Sequence, residues 1–67
     1  MNAFQKAKLH QLEKMLRKGM FINQASAAQT IDCNPRTVRR LMQDLKAKGL
    51  RFHYAYDLKR YVFDGEE

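Results

Sequence analysis

The segment Asn34-Pro35-Arg36-Thr37-Val38-Arg39-Arg40 decides how this chain is read. Asparagine is a good helix N-cap, because its side-chain oxygen accepts a backbone N–H of the first turn. Proline suits the next position, where its missing N–H would be unpaired anyway. A helix is therefore predicted to open at Pro35. Its apolar residues Val38, Leu41, Met42 and Leu45 recur at three- and four-residue spacing, and Gly49 follows Lys46 and Lys48 as a stop. The helix runs from 35 to 48, about 21 Å at 1.5 Å per residue. Arg36, Arg39, Arg40 and Gln43 fall on the face opposite Val38, Met42 and Leu45.

Working back, Asp32-Cys33-Asn34 reads as a tight turn. Asn23 offers a cap for a preceding helix over Gln24–Ile31. Ala25, Ala27 and Ala28 make that helix slim, so a neighbour can approach closely. Met20-Phe21-Ile22 is a short apolar run, read either as a brief strand or as a core plug. Ala3–Lys18 is a first helix with Phe4, Leu9, Leu12, Met15 and Leu16 on its apolar side, stopped by Gly19.

Beyond Gly49 the period changes to two. Leu50, Phe52, Tyr54 and Tyr56 alternate with Arg51, His53 and Ala55, as in a strand. Asp57–Lys59 reads as a turn and Arg60-Tyr61-Val62-Phe63 as the returning strand. A frayed tail is expected over about 63–67. The expected fold is mainly α with a small β-hairpin: one domain over residues 1–67, in the order of a winged helix-turn-helix.

Composition narrows the function. The chain has 67 residues and a formal charge of +6, and Arg36, Arg39, Arg40, Lys46, Lys48 and Arg51 lie close together. Such a stripe favours a polyanion. No apolar run approaches the ~18 residues of a membrane span. Met1–Leu12 lacks the continuous apolar region of a signal peptide, and Cys33 is the lone cysteine. A cytoplasmic protein is expected. His10, His53 and Cys33 fall on different elements without metal-ligand spacing. The carboxylates are scattered and no glycine-rich phosphate loop occurs. No metal, cofactor, small-molecule ligand or enzymatic activity is expected.

Double-stranded DNA is the expected partner. Arginine pairs bidentately with guanine and glutamine with adenine, so Arg39 and Gln43 are expected near base edges, Arg36 nearer the backbone and Arg40 in either place. Asn34, Pro35 and Thr37 open the helix, where free N–H groups and a hydroxyl or amide suit a phosphate.

Ala27-Ala28-Gln29-Thr30-Ile31-Asp32-Cys33-Asn34-Pro35-Arg36-Thr37-Val38 resembles the pattern L-A-x-x-L-G-V-S-x-R-T-I of the N-terminal reading head of DeoR-type and WYL-domain bacterial transcription regulators. The likeness extends from about Leu9 to Phe63. Asp32 stands where the family has a turn glycine, Asn34 for its serine cap, and Cys33 for its core valine. The resemblance implies a helix 35–48 that enters the major groove and a hairpin whose Lys59 and Arg60 reach the minor groove or backbone. It implies a transcriptional regulator, a repressor more than an activator, which pairs on DNA or forms a weak homodimer. The alternative from another class is a phage or mobile-element accessory or inhibitor protein that uses the same fold to bind a protein.

Overall fold

The computed structural model describes residues 2–67. Its elements are α1 (Ala3–Arg17), α2 (Gln24–Thr30), α3 (Pro35–Ala47), β1 (Leu50–Ala55) and β2 (Arg60–Glu66). Three helices and an antiparallel two-stranded hairpin make the layout a winged helix.

Each helix begins with the same device. Asn2, Asn23 and Asn34 accept the backbone N–H of Gln5, Ser26 and Thr37 at 2.8, 2.7 and 2.8 Å, satisfying a donor that the helix itself leaves unpaired. The first two helices also stop alike. After α1, Gly19 is left-handed (φ 72°), and the N–H groups of Gly19 and Met20 return to the carbonyls of Leu16 and Met15. After α2 the left-handed residue is Asp32 (φ 56°), with Asp32 and Cys33 donating to Gln29 and Ala28. Aspartate tolerates this backbone better than most residues, so the missing turn glycine does not open the corner.

The core lies where the three helices meet the hairpin. Leu12 and Leu16 of α1, Ala27 and Ala28 of α2, Val38, Leu41 and Leu45 of α3, and Leu50 and Phe52 of β1 are buried together with Phe21 and Ile31. The alanines let α2 pack close under α3, which holds the turn between them tight. Phe21 is fully buried, and its carbonyl accepts the N–H of Tyr61 at 2.8 Å. Of the Met20–Ile22 run, Phe21 alone plugs the core and pairs with β2 through one hydrogen bond, while Met20 and Ile22 are exposed.

Two expectations for the hairpin fail. Tyr56 does not continue the buried alternation. β1 ends at Ala55, which is buried, and Tyr56 starts the turn at 84% exposure. The chain reverses there, with Leu58 donating to the Ala55 carbonyl at 3.2 Å. Nor does the returning strand stop at Phe63. β2 runs to Glu66, and Glu67 donates to the Gly49 carbonyl at 2.8 Å. A register shift between Arg51 and Phe52 moves the pairing from Phe52↔Phe63 to Arg51↔Gly65. Gly65 takes φ 128° there, a backbone that glycine permits. Side chains hold this end: Arg17 bonds Glu66 and Glu13, Lys48 bonds Glu13 at 3.1 Å, and His53 Nδ1 lies 2.6 Å from Asp64.

Candidate nucleic-acid interface

The outward side of α3 is built by its inward side. Val38, Leu41 and Leu45 are buried, which fixes the rotation of the helix and leaves Arg36, Arg39, Arg40 and Gln43 exposed. Successive residues of an α-helix turn by about 100°. Arg36 and Gln43 therefore lie within about 20° of one line, with Arg39 about 60° to one side and Arg40 about 40° to the other. The small, exposed Ala47 continues the central line.

The two flanks differ. Arg40 borders a groove of about 590 Å³ between α3, the α2–α3 turn and the first turns of α1, with Phe4 and Lys8 on its far wall. On Arg39's side, Lys46 sets its ammonium 5.2 Å from the centre of the Phe52 ring of β1. The arginine row thus spans the width of the helix, from the α1 side to the hairpin side.

Its charge is uncompensated. Among the described residues, ion pairs engage Arg17, Lys48 and His53, and none engages Arg36, Arg39 or Arg40. Asp44 lines the same groove as Arg40 but forms no ion pair with it. Adjacent like charges with no partner repel one another and raise the local potential, which favours an approaching polyanion.

The first turn of α3 has less to offer a phosphate than the sequence suggests. The Thr37 N–H and hydroxyl both donate to the Asn34 side-chain oxygen, at 2.8 and 3.1 Å. The Val38 N–H returns to the Asn34 carbonyl at 3.2 Å, and Pro35 has no N–H. The Arg36 N–H and the Asn34 amide nitrogen remain available. Asn34 and Thr37 therefore act first as a cap.

Lys59 and Arg60 part company. Lys59 is exposed in the turn, in a left-handed backbone (φ 55°). Arg60 is half-buried and lies back against Gly19 at the end of α1, with its Nε buried and without a hydrogen-bond partner. The hairpin does not present them as a pair.

Sequence reading missed one residue that shapes the site. Lys8 of α1 donates its ammonium to the carbonyls of Ile31 and Asp32, the latter at 3.1 Å. These carbonyls end α2, where a cation is favourable. The clue was present: Lys8 stands at helical spacing from Leu12 and Met15, so a lysine occupies the apolar stripe. Cys33, beside this clamp, is partly buried against the core. Burial pushes its thiol above the usual range, although nearby Lys8 opposes the shift.

No cluster of three or more metal-ligating side chains occurs among the described residues, and no helix among them is long and apolar enough to cross a membrane. The chain matches no family model, no curated protein and no solved structure. The functional reading therefore rests on the site.

Proposed function

We propose that this chain is a sequence-specific double-stranded DNA-binding protein that acts as a small cytoplasmic transcriptional regulator, more a repressor than an activator. The observation that carries the reading is the row of unpaired arginines across the exposed face of a helix whose opposite face is locked in the core. In this reading α3 enters the major groove. Arg36 in the first turn and Gln43 two turns further on lie on one line and address base edges, in place of the Arg39 and Gln43 pair expected from the sequence, while Arg39 and Arg40 on the flanks address bases or phosphates. The N-terminal part of a recognition helix is where base contacts concentrate. The resemblance to DeoR-type and WYL-domain reading heads supports the same assignment. One module of this size covers about 600–1,000 Å² of DNA, which gives limited discrimination. Two copies on neighbouring half-sites, associating weakly in solution, complete the proposal.

The deciding experiment is selection of binding sites from random duplex DNA at near-physiological salt. An enriched motif supports the reading, and the absence of enrichment with no duplex affinity removes it. The second reading, an accessory or inhibitor protein that binds another protein, draws on one observation. Phe4 is 68% exposed beside the groove that Arg40 borders. Binding that is insensitive to salt and needs Phe4 rather than the arginines would favour it.

A further inference from the structure

Large side chains at the tip of the hairpin stand largely in solvent. Tyr56 is 84% and Leu58 53% exposed, in a turn of four residues, Tyr56–Lys59. Solvated turns draw on glycine, asparagine, aspartate and serine, so two bulky apolar residues here are poorly matched to water.

The tip is stiff. The Tyr56 ring meets Tyr54 edge-on at 5.0 Å, Tyr54 meets Tyr61 at 5.1 Å, and Tyr61 stacks on Phe21 at 4.4 Å. Phe21 is fully buried, so a continuous aromatic ladder runs from the core to the tip. The Leu58 N–H bond to Ala55 closes the turn beneath it. A side chain carried on such a support resists being folded back when pressed against a surface.

Charge says what kind of contact the tip can make. Asp57 and Lys59 are both exposed and cancel, and Arg60 is turned back against Gly19. The tip therefore has little net attraction for phosphate, in contrast to the face of α3. What it offers is apolar and aromatic surface, which matches the faces of bases rather than the backbone. Apolar side chains enter duplexes by wedging between base pairs at easily unstacked steps, and so kink the helix.

We propose that the hairpin tip is a wedge, in which Leu58 and Tyr56 insert against the base stack of the duplex held by α3 and bend it. This rests on the DNA-binding reading above. The protein's net charge of +6 and the unpaired arginines bring the tip to DNA, and the tip then deforms it.

The test uses the whole chain and a duplex of about 30 base pairs with donor and acceptor dyes at its ends, long enough to report a bend. Binding is followed by anisotropy and bending by energy transfer. The wild-type protein is compared with the double variant Tyr56→Ser, Leu58→Ser. Both sites are exposed, and thermal melting checks that the variant folds. The expected result is a rise in transfer on wild-type binding, corresponding to a kink of about 20–90°. The double variant should bind within about tenfold and leave the transfer at that of free duplex. Wild-type binding with no change in transfer, or an unchanged bend in the double variant, overturns the wedge and leaves the DNA-binding reading standing. No wild-type binding at low salt overturns both.

Discussion

The ammonium of Lys8 lies 3.1 Å from the carbonyl oxygen of Asp32 and donates to it, so α1 holds the corner from which α3 starts. A second bond to Ile31 makes the contact a two-carbonyl clamp. Lys8→Met keeps much of the stem and removes the donor. It should lower stability by about 1–2 kcal/mol in urea unfolding, as expected for a charged hydrogen bond at a helix end. Duplex affinity should fall less than in the arginine variants, because the α3 side chains remain.

Leu45 tests the phase of α3. It is fully buried, on the side of the helix away from the arginines. Leu45→Ala should cost about 2–5 kcal/mol. That is a large share of the stability of a small domain. Gln43→Ala, two residues away but exposed, should leave the melting temperature within a degree or two. Equal effects of the two substitutions would show that the helix is rotated from the arrangement described.

Glu13 gives the fold an acid sensitivity. Burial raises its pKa, but hydrogen bonds from Lys48 and Arg17 outweigh this and hold the carboxyl below its ordinary value of 4.5. A group depressed in the folded state stabilises the fold above its unfolded pKa. That stability is lost as pH falls through the folded value. Stability should therefore decline below about pH 4.5, the ordinary value, as the link between α1, the end of α3 and, through Arg17, β2 comes apart. Glu13→Gln should be less stable at neutral pH and show a shallower decline over that acid range, measured by denaturation at a series of pH values.

The flanking and central side chains of α3 should separate in DNA binding. Each phosphate neutralised adds about 0.9 to the slope of log affinity against log salt. Arg40→Ala, at the α1 edge, should weaken binding to all duplexes alike and reduce that slope by about one contact. Arg36→Ala and Gln43→Ala should each cost about 1–3 kcal/mol on a selected site and relax preference at one base pair. Titrations at several salt concentrations, on selected and scrambled duplexes, distinguish the two patterns. If neither class of substitution altered affinity, α3 would not be the contact surface.

Much of this was legible in the sequence because it depends on neighbours along the chain. Helix starts were marked by Asn23 and Asn34, stops by Gly19 and Gly49, and the inward side of α3 by the spacing of Val38, Leu41 and Leu45. Tyr56 misled because the period of two that reads as strand continues for one residue past the point where the chain turns. The end of the chain misled because Asp64–Glu67 looks like a solvated acidic tail. It is held by Arg17, His53 and Gly49, all distant in sequence.

The sequence by itself determined the helices, their caps and the exposed arginine row, since caps, stops and amphipathic spacing are local properties of the backbone and its side chains. Tertiary structure alone decided which charges stay free. Glu13 and Glu66 engage Arg17, and Glu13 also engages Lys48. Lys8 turns to the α2 carbonyls and Arg60 to Gly19. Arg36, Arg39 and Arg40 form no ion pair: Glu13 and Glu66 are taken up elsewhere, and Asp44, on the same helix as Arg40 and in the same groove, makes none with it. Ion pairing depends on distances of a few ångströms between groups far apart in the chain, which spacing along the sequence cannot encode.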